Sequence, residues 1–260
     1  MKADFGRTAS DYRSFRAGFP RSFFETLVGA KIITGRETVV DLGTGTGTVA
    51  RGLASLGCRV IGIDSSPDML NQAREMAGSG SPTVTWRQAA AEDTGLDGDS
   101  VDVVTAGQCW HWFDPEKAIR EIRRLLRAGG RLVIAHFDWL PCSGNVVELT
   151  ETLIREMNPD WTMGGGCGVY PQWFRHLMEG GFLDIRSLTY DEPIHYSHEA
   201  WRGRVRASAG VGGSMSGERV VEFDRRHARL LAEEFPVDPL LVPHRVFLVH
   251  GRRPGQESGL

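Results

Sequence analysis

Three glycines at alternate positions, Gly43, Gly45 and Gly47, follow directly on the run Val39-Val40-Asp41-Leu42, and this stretch limits what the chain can become more than any other. Two β-branched residues running into an acid read as the end of a strand, the glycines as a tight turn, and Thr48 to Leu56 as a helix. Glycine lets the backbone turn sharply and approach a ligand closely. The unpaired N–H groups at the start of the next helix then face whatever sits over the turn. A strand, turn and helix of this kind suit a parallel α/β sheet with a small polar cofactor at the turn.

The glycine spacing separates two cofactor classes. A dinucleotide fingerprint, G-x-G-x-x-G, needs a third glycine where this chain has Thr48, which disfavours a nicotinamide-dependent oxidoreductase. The motif present is D-x-G-x-G-x-G. A second apolar run, Arg59 to Ile63, ends at Asp64, 64 − 41 = 23 positions after Asp41. An acid at the end of a second strand can grip both hydroxyls of a ribose. On these residues the chain resembles motif I and the acid that follows it in the class I S-adenosylmethionine-dependent methyltransferases. The resemblance implies an α/β fold with a Rossmann-like seven-stranded sheet in the order 3-2-1-4-5-7-6, its last strand antiparallel and helices on both faces. It also implies S-adenosylmethionine as cofactor, held by Asp41, Gly43, Thr44, Gly45, Asp64 and Ser65.

The chain has 260 residues, 41% hydrophobic and 24% charged, enough for one α/β domain with an elaboration. A net charge of −3 and a pI near 6.3 argue against a broad phosphate-binding face, so nucleic acid is not the expected partner. The cysteines Cys58, Cys109, Cys142 and Cys167 show no C-x-x-C spacing, which points to a reducing compartment and no metal site. No segment is apolar for the roughly 18 residues of a membrane span, and the N-terminus has no signal-peptide core. A cytoplasmic protein, monomeric or homodimeric, is expected.

Four regions follow from the pattern: 1–36 before the first strand, 37–137 as the cofactor-binding core, 138–252 as a C-terminal part with insertions, and 253–260 as a disordered tail. The run Tyr12 to Pro20 resembles the segment that precedes motif I in the trans-aconitate methyltransferase-like branch. There, the resemblance implies, it closes over the cofactor and turns Tyr12 and Arg16 to the site. The alternative is a helix packed through its phenylalanines with the arginines in solvent. After the third strand the family commonly has an acid before Ala-Glu to hold the adenine. This chain has Ala90, so backbone groups around Ala91 and Glu92 are expected to serve instead.

Beyond the fourth strand, Val101 to Ala106, stands Gly107-Gln108-Cys109-Trp110-His111-Trp112-Phe113-Asp114. Ligands of open parallel sheets bind beyond the carboxyl ends of strands at the switch point, here between the first and fourth strands. Gln108 is the candidate for the methionine end of the cofactor. The run resembles the aromatic-His-Trp-Phe-Asp signature of the same branch, which makes His111 a candidate base and Trp110 a substrate contact. The plainer reading has the aromatics roofing the core and His111 bonding a carbonyl. A helix is expected from Pro115 to about Ala128 and a fifth strand from Arg131.

Residues 139 to 182 break the β-α rhythm, with a glycine cluster from Gly164 to Gly168 between aromatics. Trp139 and Tyr170 could offer stacking faces to a substrate. Arg202, Arg204 and Arg206 alternate, so on a helix the first and third share a face and Arg204 points nearly opposite. An inward guanidinium would hold an anionic substrate. The function expected is methyl transfer to a small, anionic metabolite, O-methylation above all, with Tyr12 a second candidate base. A cofactor-binding protein without turnover stays open because of Ala90.

Overall fold

The structure, a computed structural model, describes residues 18–78 and 82–255, so Tyr12 and Arg16 lie outside the described residues. In chain order the elements are α1 (Arg21–Gly29), β1 (Thr38–Leu42), α2 (Thr48–Ser55), β2 (Arg59–Asp64), α3 (Pro67–Met76), β3 (Val84–Gln88) and β4 (Val101–Gly107). A single 3-10 turn (Trp110–Trp112) comes next, then α4 (Pro115–Leu125), β5 (Leu126–Trp139), α5 (Val146–Met157) and α6 (Pro171–Glu179). The chain continues with β6 (Leu183–Asp191), β7 (Ile194–Tyr196), α7 (His198–Arg206), α8 (Gly217–Glu234), β8 (Leu240–Val242) and β9 (His244–Arg252). Two compact units emerge. The sheet unit holds Gly18–Phe137, Tyr170–Tyr190 and the chain from Val246, and the C-terminal unit holds Asp138–Val169 and Asp191–Arg245.

The sheet has seven strands in the order β3-β2-β1-β4-β5-β9-β6, the expected order once two short strands before β9 are counted. The four pairings from β3 to β5 are parallel. β9 is antiparallel to β5, because Arg253 N donates to Gly130 O (2.8 Å) toward one end and Leu140 N to Pro243 O (2.9 Å) toward the other. Parallel neighbours require crossovers, and right-handed crossovers put α2 and α3 on one face and α4 on the other. Such strands are covered on both sides, which is why Val39, Val40, Leu42, Val103, Val104, Leu132 and Ile134 are all buried.

Local chemistry sets where the helices begin. Ser66 caps Met69 N with Pro67 in the first helical position, and Asp114 caps Lys117 N with Pro115 in the same place. The end of α4 differs from the sequence reading. The helix stops at Leu125, three residues before Ala128, and Leu126 is already extended. The carbonyls of Arg124 and Leu125, which a longer helix would bond internally, accept instead from Asp99 N and Ser100 N, both at 2.9 Å. Gly129, at φ +81°, therefore lies within β5 rather than capping the helix. Arg253, read from the sequence as the first residue of the tail, is held by backbone and side-chain bonds. Arg253 N and O pair with Gly130 and Gly129, and its guanidinium reaches Asp99 and the Leu126 carbonyl.

In the C-terminal unit α5, α7 and α8 pack around Val147, Ile154, Trp201, Val205, Phe223 and Leu231. Burying side chains of this size is worth about 1.5 to 3 kcal/mol each. β7 and β8, which the sequence pattern does not announce, pair antiparallel from Ile194↔Val242 to Tyr196↔Leu240. Among the described residues, no helix is long and apolar enough to cross a membrane.

Candidate functional site

The turn after β1 is built around three left-handed glycines, Gly43, Gly45 and Gly47, at φ +59°, +55° and +80°. A Cβ on Gly43 would stand 2.7 Å from Cys109 Cβ, and one on Gly47 would stand 2.3 Å from the Trp86 ring. Only glycine fits either place. Trp86 also lies over Gly62 of β2, where an added Cβ would come within 2.6 Å of the same indole.

Asp41 sits beneath the turn, 1% exposed. It accepts from Thr44 Oγ1 at 2.6 Å and from Thr105 Oγ1, across the strand pair, at 2.7 Å. Burial raises its pKa to about 6, against those hydrogen bonds and with help from the nearby charge of Asp64. Asp41 thus braces the turn from inside. Thr44 is also buried, and its N–H donates to Ile63 O at 2.9 Å, tying the turn to β2.

Asp64 is half-buried at the end of β2. Its two oxygens accept from Gly45 N (2.8 Å) and Ser66 N (2.9 Å). Burial raises its pKa, while hydrogen bonds from Ser66, Gly45 and Ser65 oppose the rise. A carboxylate has about four acceptor positions, so the backbone donors do not exhaust its capacity for a ligand's hydroxyls. Ser65 beside it is exposed. Ala91 is buried, and the Glu92 carboxylate accepts from Asp114 N at 3.0 Å. The Glu92 side chain therefore belongs to the start of α4, which leaves backbone groups for a ligand at this turn.

Gln108 follows β4 at φ +58°, a conformation uncommon outside glycine. Its N–H donates to Ala135 O (2.9 Å) and its side-chain amide to Phe137 O, so β5 holds both ends of the residue. His111 and Trp112 are exposed on the 3-10 turn, whereas Trp110 points inward, 2% exposed. The Trp110 indole N–H donates to His176 Nδ1 at 3.0 Å and its ring meets Phe113 edge-on. That indole bonds α6 through His176. Behind His111 lies His136 of β5, 5% exposed, with Tyr170 and Trp173 around it at 4.7 and 5.1 Å between ring centroids. Tyr170 stacks flat on Trp173 at 4.1 Å.

In the C-terminal unit the arginines of α7 divide as helical spacing dictates. Arg202 and Arg206 both grip Asp224 of α8, while Arg204 lies on the other side with its guanidinium 4.7 Å over the Trp139 ring. Trp139 Nε1 donates to Glu151 at 2.9 Å.

The sequence reading missed Thr105, His136, Trp86 and Glu151. Two of these carried a signal. Glu151 falls with Val147 and Ile154 on the apolar face of α5, where an acid is out of place, and His136 interrupts the apolar run of β5. Thr105 required the register Asp41↔Thr105, and Trp86 required knowing what the glycines make room for.

Comparison with known proteins agrees with this geometry. Residues 40–134 match the model of the methyltransferase domain family. An uncharacterized methyltransferase of Schizosaccharomyces pombe is 32% identical over 224 residues, 85% of this chain and 83% of that protein. An uncharacterized methyltransferase of Mycobacterium tuberculosis is 35% identical over 159 residues, which span 61% of this chain and 62% of the relative. Among solved structures, a candidate type II methyltransferase from Anaeromyxobacter dehalogenans superposes with a TM-score of 0.63 at 26% identity, covering 93% of this chain and all of that one (100%). With the glycine turn, the acid ending β2 and the strand order all in place, the chain belongs to the class I S-adenosylmethionine-dependent methyltransferases.

Proposed function

We propose that this protein methylates a small, anionic metabolite, most readily at oxygen, with S-adenosylmethionine as donor. The observation that carries the reading is Asp64, which pins Gly45 and Ser66 and keeps acceptor capacity for a ribose beside three left-handed glycines. Asp64 takes the ribose, the Gly43-Thr44-Gly45 backbone and Gln108 face the methionine end, and Ser65 and the backbone at Ala91 and Glu92 border the adenine. Two carboxylates stand at the turn, Asp41 beneath it and Asp64 beside it, and their negative charge suits a cationic ligand.

S-adenosylmethionine, when bound, supplies an electrophilic methyl group on a sulfonium. The residues of the chain orient the acceptor and exclude water. His111, at the end of β4, accepts a proton from a hydroxyl acceptor or orients a carboxylate one. Tyr170, Trp139 and Arg204 retain the substrate contacts that the sequence pattern gives them, a guanidinium being suited to an anionic group. Tyr12 and Arg16 retain the roles that the resemblance gives them.

Oxygen as the methyl acceptor is supported by a ubiquinone biosynthesis O-methyltransferase of Xanthomonas oryzae, 27% identical over 184 residues, 70% of this chain and 75% of that protein. The anionic character rests on Arg204 and on the resemblance to the trans-aconitate methyltransferase-like branch. Native mass spectrometry of the purified protein, with S-adenosylmethionine and NADH titrations alongside, tests the proposal. Tight S-adenosylmethionine binding and a co-purified organic acid are expected. Preference for NADH would overturn it, and cofactor binding with no turnover of any acid supplied would leave a binding protein.

A further inference from the structure

Three neighbouring strands of the sheet, β5, β9 and β6, bring a buried histidine between two arginines. Glu192 N donates to His244 O at 2.8 Å, and the same distance along each strand Arg252 of β9 holds Asp184 of β6 at 2.8 Å. Counting inward from Arg252 and Asp184 sets His250 opposite Arg186, and cross-strand partners project from the same face. From β5, on the other side, Arg131 Nη1 lies 3.5 Å from His250 Nδ1. A guanidinium can only donate, so Nδ1 accepts and the imidazole proton sits on Nε2. Among the described residues Nε2 has no hydrogen-bond partner, and it is not fully enclosed.

His250 is 3% exposed. Burial, and after it the charges of Arg131 and Arg186, push its pKa down to about 4, so the ring is neutral in ordinary buffers. Neither of those arginines makes an ion pair among the described residues, whereas Arg127 and Arg252 pair with Asp102 and Asp184. The Asp184 carboxyl is held below its usual range by Arg252 first and then, against burial, by Arg186 and Arg131. Three guanidiniums thus act on one carboxylate, which leaves a surplus of two positive charges. The chain as a whole carries −3, so this surplus is local. It is also remote from the glycine turn. Arg131 pairs with Val103, four residues before Gly107 at the end of β4, roughly 13 Å back along the strands.

We infer that Arg131, Arg186 and the His250 Nε2–H form a binding site for a phosphoryl dianion, free or at the end of a small phosphate ester. The surplus charge matches a dianion. Two guanidinium forks and a ring N–H, supplied by three strands, suit the three oxygens of a phosphoryl group better than the two coplanar oxygens of a carboxylate.

The test is an NMR titration of the His250 ring nitrogens in the whole protein at pH 8. The probes are inorganic phosphate, glycerol 3-phosphate and, at matched ionic strength, acetate. Phosphate should shift the ring signals saturably and acetate should not. Arg186→Met and Arg131→Met should each weaken phosphate binding roughly tenfold or more, the loss of one charged donor, with S-adenosylmethionine affinity unchanged. Arg186 is exposed, so its variant decides the matter even if Arg131→Met folds poorly. Saturation by glycerol 3-phosphate as well assigns the site to phosphate esters, and saturation by phosphate alone assigns it to the free ion. An equal response to acetate, no saturation by either phosphate probe, or parent-like phosphate binding in Arg186→Met overturns the inference.

Discussion

The imidazoles of His111 and His136 meet edge to face, 5.2 Å between ring centroids and 70° between planes. One is exposed on the turn after β4 and the other is buried in β5 between Tyr170 and Trp173. A side chain on an exposed turn is held in one orientation only if something rigid lies behind it, and His136 is that support. For a hydroxyl acceptor, His111→Gln should lower kcat by about 10² to 10⁴ with cofactor affinity unchanged. His136→Phe, which keeps a flat ring, should lose much less. With a carboxylate acceptor the effect of His111→Gln should move to KM. Steady-state kinetics with a calorimetric cofactor titration decides, and parent-like kcat and KM in His111→Gln would remove the residue from the chemistry.

Asp64 has two duties, since it holds Gly45 and Ser66 as well as the proposed ribose. Asp64→Asn keeps the volume but replaces one accepting oxygen with a donor. Cofactor binding should weaken by about 1.5 to 3 kcal/mol, the worth of hydrogen bonds to a charged acceptor. Isothermal titration with S-adenosylmethionine measures this, and unchanged affinity would refute the ribose role.

Asp41 makes the cofactor-free protein less stable as pH rises through a defined window. Its pKa is near 6 when folded against an ordinary 3.8, so between those values the folded chain binds more protons than the unfolded one. Stability should fall from about pH 4 to pH 6 and then level off. Asp41→Asn lacks this slope, and its threonine partners can rotate to suit an amide. The variant should gain on the parent across that window by at most about 3 kcal/mol, at 1.36 kcal/mol per pH unit. Urea midpoints at pH 4, 5, 6 and 7.5 for both proteins provide the check.

Glu37 acts with the opposite sign and in a lower window. Burial opposes its ionisation, yet hydrogen bonds from Thr34 Oγ1 and from the N–H groups of Thr34 and Arg36 bring its pKa down to about 2. Its stabilisation is complete above about pH 4.5 and is lost as pH falls toward 2. Glu37→Gln should cost about 1 to 2 kcal/mol at pH 7 and progressively less in acid, by denaturant unfolding at pH 7 and 3.

Much of the sheet unit could be read directly from the sequence, because its rules are local. Glycines at fixed offsets, acids at strand ends and proline after a capping Ser or Asp each fix a boundary without reference to distant residues. Asp41, Gly43, Gly45 and Asp64 were found this way. What stayed hidden depends on partners far along the chain. The inward turn of Trp110 is decided by His176, 66 residues away, and the early end of α4 by Asp99 and Ser100. The C-terminal unit was harder still, since β7 and β8 are three residues each and carry too little pattern to separate from loop. Arg204 was singled out by helical geometry alone, but nothing in the spacing pointed to Trp139 as the ring beneath it.

Trp86 covers Gly47 and Gly62 with one indole, so the glycine turn is in contact with a chromophore. Indole emission follows the polarity and freedom of its surroundings. A shift of Gly47 by a fraction of an ångström, on ligand entry or on protonation of Asp41, alters the packing of that ring and hence its light. Trp86 is thus placed to act as an optical reporter of the turn, and its emission should change on ligand entry whether or not any methyl group is transferred.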